Sequence, residues 1–114
     1  TDLSVDTARI LAEHSGPLLL CGMKRIQEDV AIELSKHNGL LNLAGITVVD
    51  HRVAIQFSRH KGDLRLNGVK EISYEAAKAL TKHDGVVELF GLNKELPRKT
   101  KSILLQNKQI LLEI

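Results

Sequence analysis

The feature that most constrains this chain is that it repeats itself every 23 residues. His37-Asn38-Gly39-Leu40-Leu41-Asn42-Leu43-Ala44-Gly45-Ile46 is answered by His60-Lys61-Gly62-Asp63-Leu64-Arg65-Leu66-Asn67-Gly68-Val69 and again by His83-Asp84-Gly85-Val86-Val87-Glu88-Leu89-Phe90-Gly91-Leu92, with His14 opening the series. A fixed period of this length marks a stacked array, in which each unit is too small to close a core alone and buries its apolar side against its neighbours. Composition agrees with that architecture. The 114 residues are 43% apolar and 26% charged, with no Trp, one Tyr and two Phe, so the core must come from Leu, Ile, Val and Ala.

Columns taken at the period separate what the fold demands from what it leaves open. Leu18, Leu41, Leu64, Val87 and Ile110 form one apolar column, and Leu20, Leu43, Leu66, Leu89 and Leu112 form another two positions on. The Leu-x-Leu step is the period of a strand with one buried face, ending at Gly22, Gly45, Gly68 and Gly91. Helical spacing follows, with an Ala8, Ala31, Ala54, Ala77 column small enough to let each helix approach the sheet. Ser4, Asp50 and Ser73 supply N-cap acceptors, Pro97 suits a first helical turn, and the Gly of each His-x-Gly fits a left-handed C′ position. The expectation is parallel strands near 18–22, 41–45, 64–68, 87–91 and 110–113, alternating with helices near 4–14, 28–37, 51–60, 74–83 and 97–107.

Leu-x-Leu-x-Gly followed by a helix resembles the short bacterial variants of the leucine-rich repeat, over essentially the whole chain. The resemblance implies a right-handed α/β solenoid of about five units, one domain over residues 1–114, and a protein-binding role. The sequence departs from the family at one place: where an Asn or Cys ladder is usual, it carries Met23, Ile46, Val69 and Leu92. An apolar last strand, a start inside a helix-type half repeat and the lack of an initiator Met suggest a segment of a longer solenoid.

Catalytic signatures are absent: there is no phosphate loop, His-Glu-x-x-His, paired-Cys motif or Gly-x-Ser-x-Gly. The expectation is therefore a non-enzyme without metal or cofactor. The column His14, His37, His60, His83 has two readings, an imidazole ladder that binds metal or senses pH, and a set of helix C-terminal residues bonding free carbonyls; the second is preferred because no carboxylate or Cys recurs beside it. Cys21 lacks a partner for an internal disulfide and reads as a strand filler. A net charge of +2 is too small to argue for nucleic acid, and neither a membrane-spanning run nor a signal-peptide pattern occurs, which favours the cytoplasm.

Function is expected where the columns vary, on the open side of the strands. That face carries Pro17, Leu40, Asp63, Val86 and Gln109, then Leu19, Asn42, Arg65, Glu88 and Leu111, then Cys21, Ala44, Asn67, Phe90 and Glu113. Leu40, Asn42, Arg65, Asn67, Glu88 and Phe90 are the candidate partner-binding residues, apolar anchors beside orienting polar groups. Two lesser surfaces are Ile32 with Ile55, and a basic last unit with Arg98, Lys99 and Lys101, flanked by Lys94 and Lys108. The expected partner is a protein; self-association through open solenoid edges is the alternative, and nucleic acid is the weakest candidate.

Overall fold

The computed structural model describes residues 3–14, 16–92 and 95–112; Ser15, Lys94, Glu113 and Ile114, which figure in the sequence expectations, lie outside the described residues. The chain alternates α1 (Val5–Ala12), β1 (Leu18–Leu19), α2 (Glu28–Leu34), β2 (Leu41–Asn42), α3 (His51–Phe57), β3 (Leu64–Arg65), α4 (Tyr74–Leu80), β4 (Val87–Leu89), α5 (Arg98–Leu105) and β5 (Ile110–Leu112). All five strands form one parallel sheet in the order β1-β2-β3-β4-β5. Leu18 pairs with Leu41, Leu41 with Leu64 and Leu64 with Val87, so the strand register is the sequence period itself. The result is an α/β repeat solenoid, 39 Å along its longest axis.

The fixed columns form the core between sheet and helices. Leu41, Leu43, Leu64, Leu66, Val87 and Leu89 are fully buried, as are Ala8, Ala31, Ala54 and Ala77 on the inner side of the helices. Thr100 takes the Ala place in α5 and is also buried. Met23, Ile46, Val69 and Leu92 lie in the core as well, so the position that follows each strand's glycine is apolar and buried.

Helix starts follow the sequence reading. Ser4 accepts from the Thr7 N–H, Asp50 from Val53 and Ser73 from Ala76, each removing one orphan donor at a helix N-terminus. Pro97 is the N-cap residue and the helix begins one position later.

Helix ends differ. The helices run seven or eight residues, and α2, α3 and α4 stop at Ser35, Ser58 and Thr81, all in the right-handed region. Their hydroxyls donate to the carbonyls of Ile32 (2.6 Å), Ile55 (2.5 Å) and Lys78 (2.6 Å), which closes the last turn without a left-handed glycine. Gly39, Gly62 and Gly85 lie well past those ends, where the chain turns into the strand, with φ of 118°, 118° and 119°. Their second role is contact between repeats: a Cβ on Gly62 would run into the backbone of Gly39. Gly45 and Gly68 are likewise pressed against the carbonyls of Cys21 and Ala44 in the preceding unit.

Candidate functional site

The alternation of the strands sends Leu19, Asn42, Arg65, Glu88 and Leu111 to the face opposite the core. Leu19 is 65% exposed, Phe90 40% and Leu111 39%. Arg65 is exposed, while Leu40, Asn42, Asn67 and Glu88 are half-buried. Register brings four of the six candidates together on β3, β4 and the turns that follow them: Arg65 Nε lies 3.5 Å from Glu88 Oε2, and Asn67 Nδ2 donates to Glu88 Oε1 at 3.0 Å. Asn67 Oδ1 accepts the Phe90 backbone N–H, also at 3.0 Å. Leu40 and Asn42 belong to the neighbouring unit and stand outside this network.

This network corrects the expectation that the variable columns are free of the fold. Asn67 uses both ends of its amide to tie one repeat to the next, Asn42 Oδ1 accepts the Ala44 N–H at 3.1 Å, and Asp63 Oδ1 accepts the Val86 N–H at 3.1 Å. Side-chain amides and carboxylates here complete backbone groups just beyond the short strands. Arg65 is itself exposed, with its Nε toward the Glu88 carboxylate. With side chains 44% and 22% exposed, that pair is worth no more than about 1 kcal/mol, so its use is orientation.

The histidine column keeps the carbonyl bonding of the preferred reading but lies inside the stack. His37, His60 and His83 are 0%, 1% and 3% exposed, whereas His14 is exposed. Their rings follow one another at centroid separations of 5.7 and 5.9 Å and are nearly parallel, at 15° and 7°. His37 Nε2 donates to the carbonyl of Gly16 in the preceding unit, 2.7 Å away. Burial pushes the pKa of His60 down to about 4, aided by the neighbouring His83 and His37, and lowers His83 as well. His60 and His83, pushed toward the neutral form, are poor cationic partners for a helix dipole, and with His37 they run as a polar seam through the stack. Among the described residues, no three of the His, Cys, Asp and Glu side chains are grouped so as to hold a metal ion.

The lesser surfaces are dispersed. Ile32 is 37% exposed but Ile55 packs against the core, so the two make no common patch. Around α5, Thr100 points inward and Arg98, Lys99 and Lys101 fan out over the remaining arc, with Lys99 Nζ 4.2 Å above the Tyr74 ring. Sequence reading missed Glu33, only 9% exposed on α2, whose carboxylate meets Arg9 and Lys36 at 3.4 Å each. Its column reads Ile10, Glu33, Gln56, Ala79, Ser102, too irregular to signal a contact. No helix among the described residues is long and apolar enough to cross a membrane. Compared with family models, with curated proteins and with solved structures, the chain finds no match.

Proposed function

We propose that this chain is a non-catalytic, leucine-rich-repeat-like interaction module that binds a protein partner across the open face of its sheet. The observation that carries this reading is the company Leu19, Phe90 and Leu111 keep: large apolar side chains in solvent, on the same face as a polar cluster that holds the exposed Arg65. Aromatic and Arg side chains on a rigid support are the usual energetic centres of protein interfaces. A rigid stack with short strands also presents them at low entropic cost. Capture of a protein with the intact chain, then its identification, supplies the partner. Phe90→Ala and Arg65→Ala are then each expected to weaken binding by about 1–3 kcal/mol while leaving the melting temperature nearly unchanged. Unaltered affinity in both, with loss on changing Arg98, Lys99 and Lys101 instead, overturns the reading and moves the site to α5.

A second reading, self-association, draws on the sheet order, in which, among the described residues, β1 and β5 each pair with one neighbouring strand. Light scattering over a concentration series separates the two, since a monomer throughout leaves the edges unused.

A further inference from the structure

The helical side of the solenoid carries a charge pattern that binding across the sheet leaves unused. Two grooves lie side by side there, one between α3 and α4 and one between α4 and the end of α5, and Lys78 and Lys82 border both. Arg59, just past the end of α3, borders the first, and Lys108, just past α5, borders the second. All four cations are exposed, and among the described residues none lies within ion-pair distance of a carboxylate. Glu75 is the one described carboxylate on either groove. With histidine counted as neutral, four cations against one carboxylate give this surface a net charge of +3, more than the +2 of the whole chain. The positive charge of the molecule is therefore gathered here.

Helix chemistry explains these residues singly but not together. A cation near a helix C-terminus stabilises its own helix, and Lys78 lies in the last turn of α4 while Arg59 and Lys82 follow the ends of α3 and α4. Yet like charges four residues apart on a helix repel, and Lys78 and Lys82 are such a pair with no acid set between them. Between the cations the surface is aliphatic: Ile55 and Ala79 line the first groove and Ile103 the second. Leu105, 49% exposed, takes the place in α5 that Lys36, Arg59 and Lys82 hold in the earlier units, so the basic column ends on a large apolar side chain in solvent.

We propose that these two grooves form a second docking surface, whose occupant is an acidic amphipathic segment of another protein. Its carboxylates meet Arg59, Lys78, Lys82 and Lys108, and its aliphatic side chains lie over Ile55, Ala79 and Ile103. Charge complementarity selects the sign of the partner, and the aliphatic floor selects its class. A nucleic-acid backbone brings phosphates for the cations but no aliphatic groups for the floor, whereas a peptide mixing Glu or Asp with Leu or Ile brings both. The site lies apart from Arg65 and Phe90, so a partner held on the sheet and a segment held on the helices need not compete.

The test uses the intact chain and short fluorescent peptides read by anisotropy: one mixing Glu with Leu, one with Gln in place of Glu, and one with Ser in place of Leu. The Glu–Leu peptide should bind, more weakly as salt rises, and each replacement should weaken it by about tenfold or more. Lys78→Gln together with Lys82→Gln should weaken it by about tenfold while circular dichroism and the urea midpoint stay native, because both side chains are exposed. Arg65→Ala and Phe90→Ala should bind the peptide as the parent chain does, which keeps this result separate from that for the sheet. In the chain labelled with nitrogen-15, amide shifts on binding should gather around Ile55, Ala79 and Ile103. No binding at low salt, binding indifferent to the double variant, or shifts confined to the strands overturns the proposal. Equal affinity for the Ser-for-Leu peptide, or displacement by an oligothymidylate at equal concentration, also overturns it and leaves a general polyanion surface.

Discussion

Leu66→Ala tests whether the stack shares one continuous core. Leu66 is fully buried, and its column neighbours Leu43 and Leu89, one repeat away on either side, are fully buried too. Truncation removes three carbons, worth about 2.4 kcal/mol at roughly 0.8 kcal/mol each. A cavity contribution adds to this to the extent that the walls cannot close. Here they are held: Gly45 and Gly68 have no room for even a Cβ against the preceding unit, so the repeats cannot slide together to fill the space. The expected loss is therefore in the upper part of the Leu→Ala range, about 3–4 kcal/mol. Leu20, the first of the same column, is only half-buried and has a neighbour on one side, so Leu20→Ala should cost about 1–2 kcal/mol. Urea unfolding followed by circular dichroism reads both, because a domain of this size holds about 5–15 kcal/mol in total. A loss below about 1 kcal/mol in Leu66→Ala, or equal losses at the two positions, refutes the continuous core.

Acid should weaken the fold well before the carboxylates titrate. His60 has a folded pKa of about 4 against the ordinary histidine value of 6.5, so the unfolded chain binds more protons between those values and stability falls as pH drops through the interval. The loss by pH 5 is about 2 kcal/mol from His60, with His83 acting in the same direction, and urea midpoints that stay level from pH 7 to 5 contradict it. Gly62→Ala should be severely destabilising, because φ is 118° and the new Cβ meets the Gly39 backbone; Gly22→Ala, whose Cβ would have nothing within 4 Å, should change stability by no more than about 0.5 kcal/mol. Equal melting temperatures for the two variants would count against the stacking role. Asn67→Ala should cost about 1–2 kcal/mol by leaving the Phe90 N–H and the Glu88 carboxylate without their amide partner, which thermal unfolding detects.

The 23-residue period determined the number of units, the order of strand and helix, the parallel register and the identity of the buried columns, because in a stack each residue is matched by translation to its counterpart in the next unit. The N-caps at Ser4, Asp50 and Ser73 were equally legible, since a cap is made within four residues. Side-chain direction was not. His37, His60 and His83 occupy one column whether they face solvent at a helix end or follow one another inside the stack, and only the turn after Ser35, Ser58 and Thr81 aims them inward. The variability of Asn42, Asp63 and Asn67 concealed that each satisfies a backbone N–H through its side chain, two of them across the repeat boundary. Those bonds depend on how closely two units approach, a distance set by Gly packing between repeats and by Ala beneath the helices, so tertiary structure alone decided which polar residues of the open face are committed and which remain available.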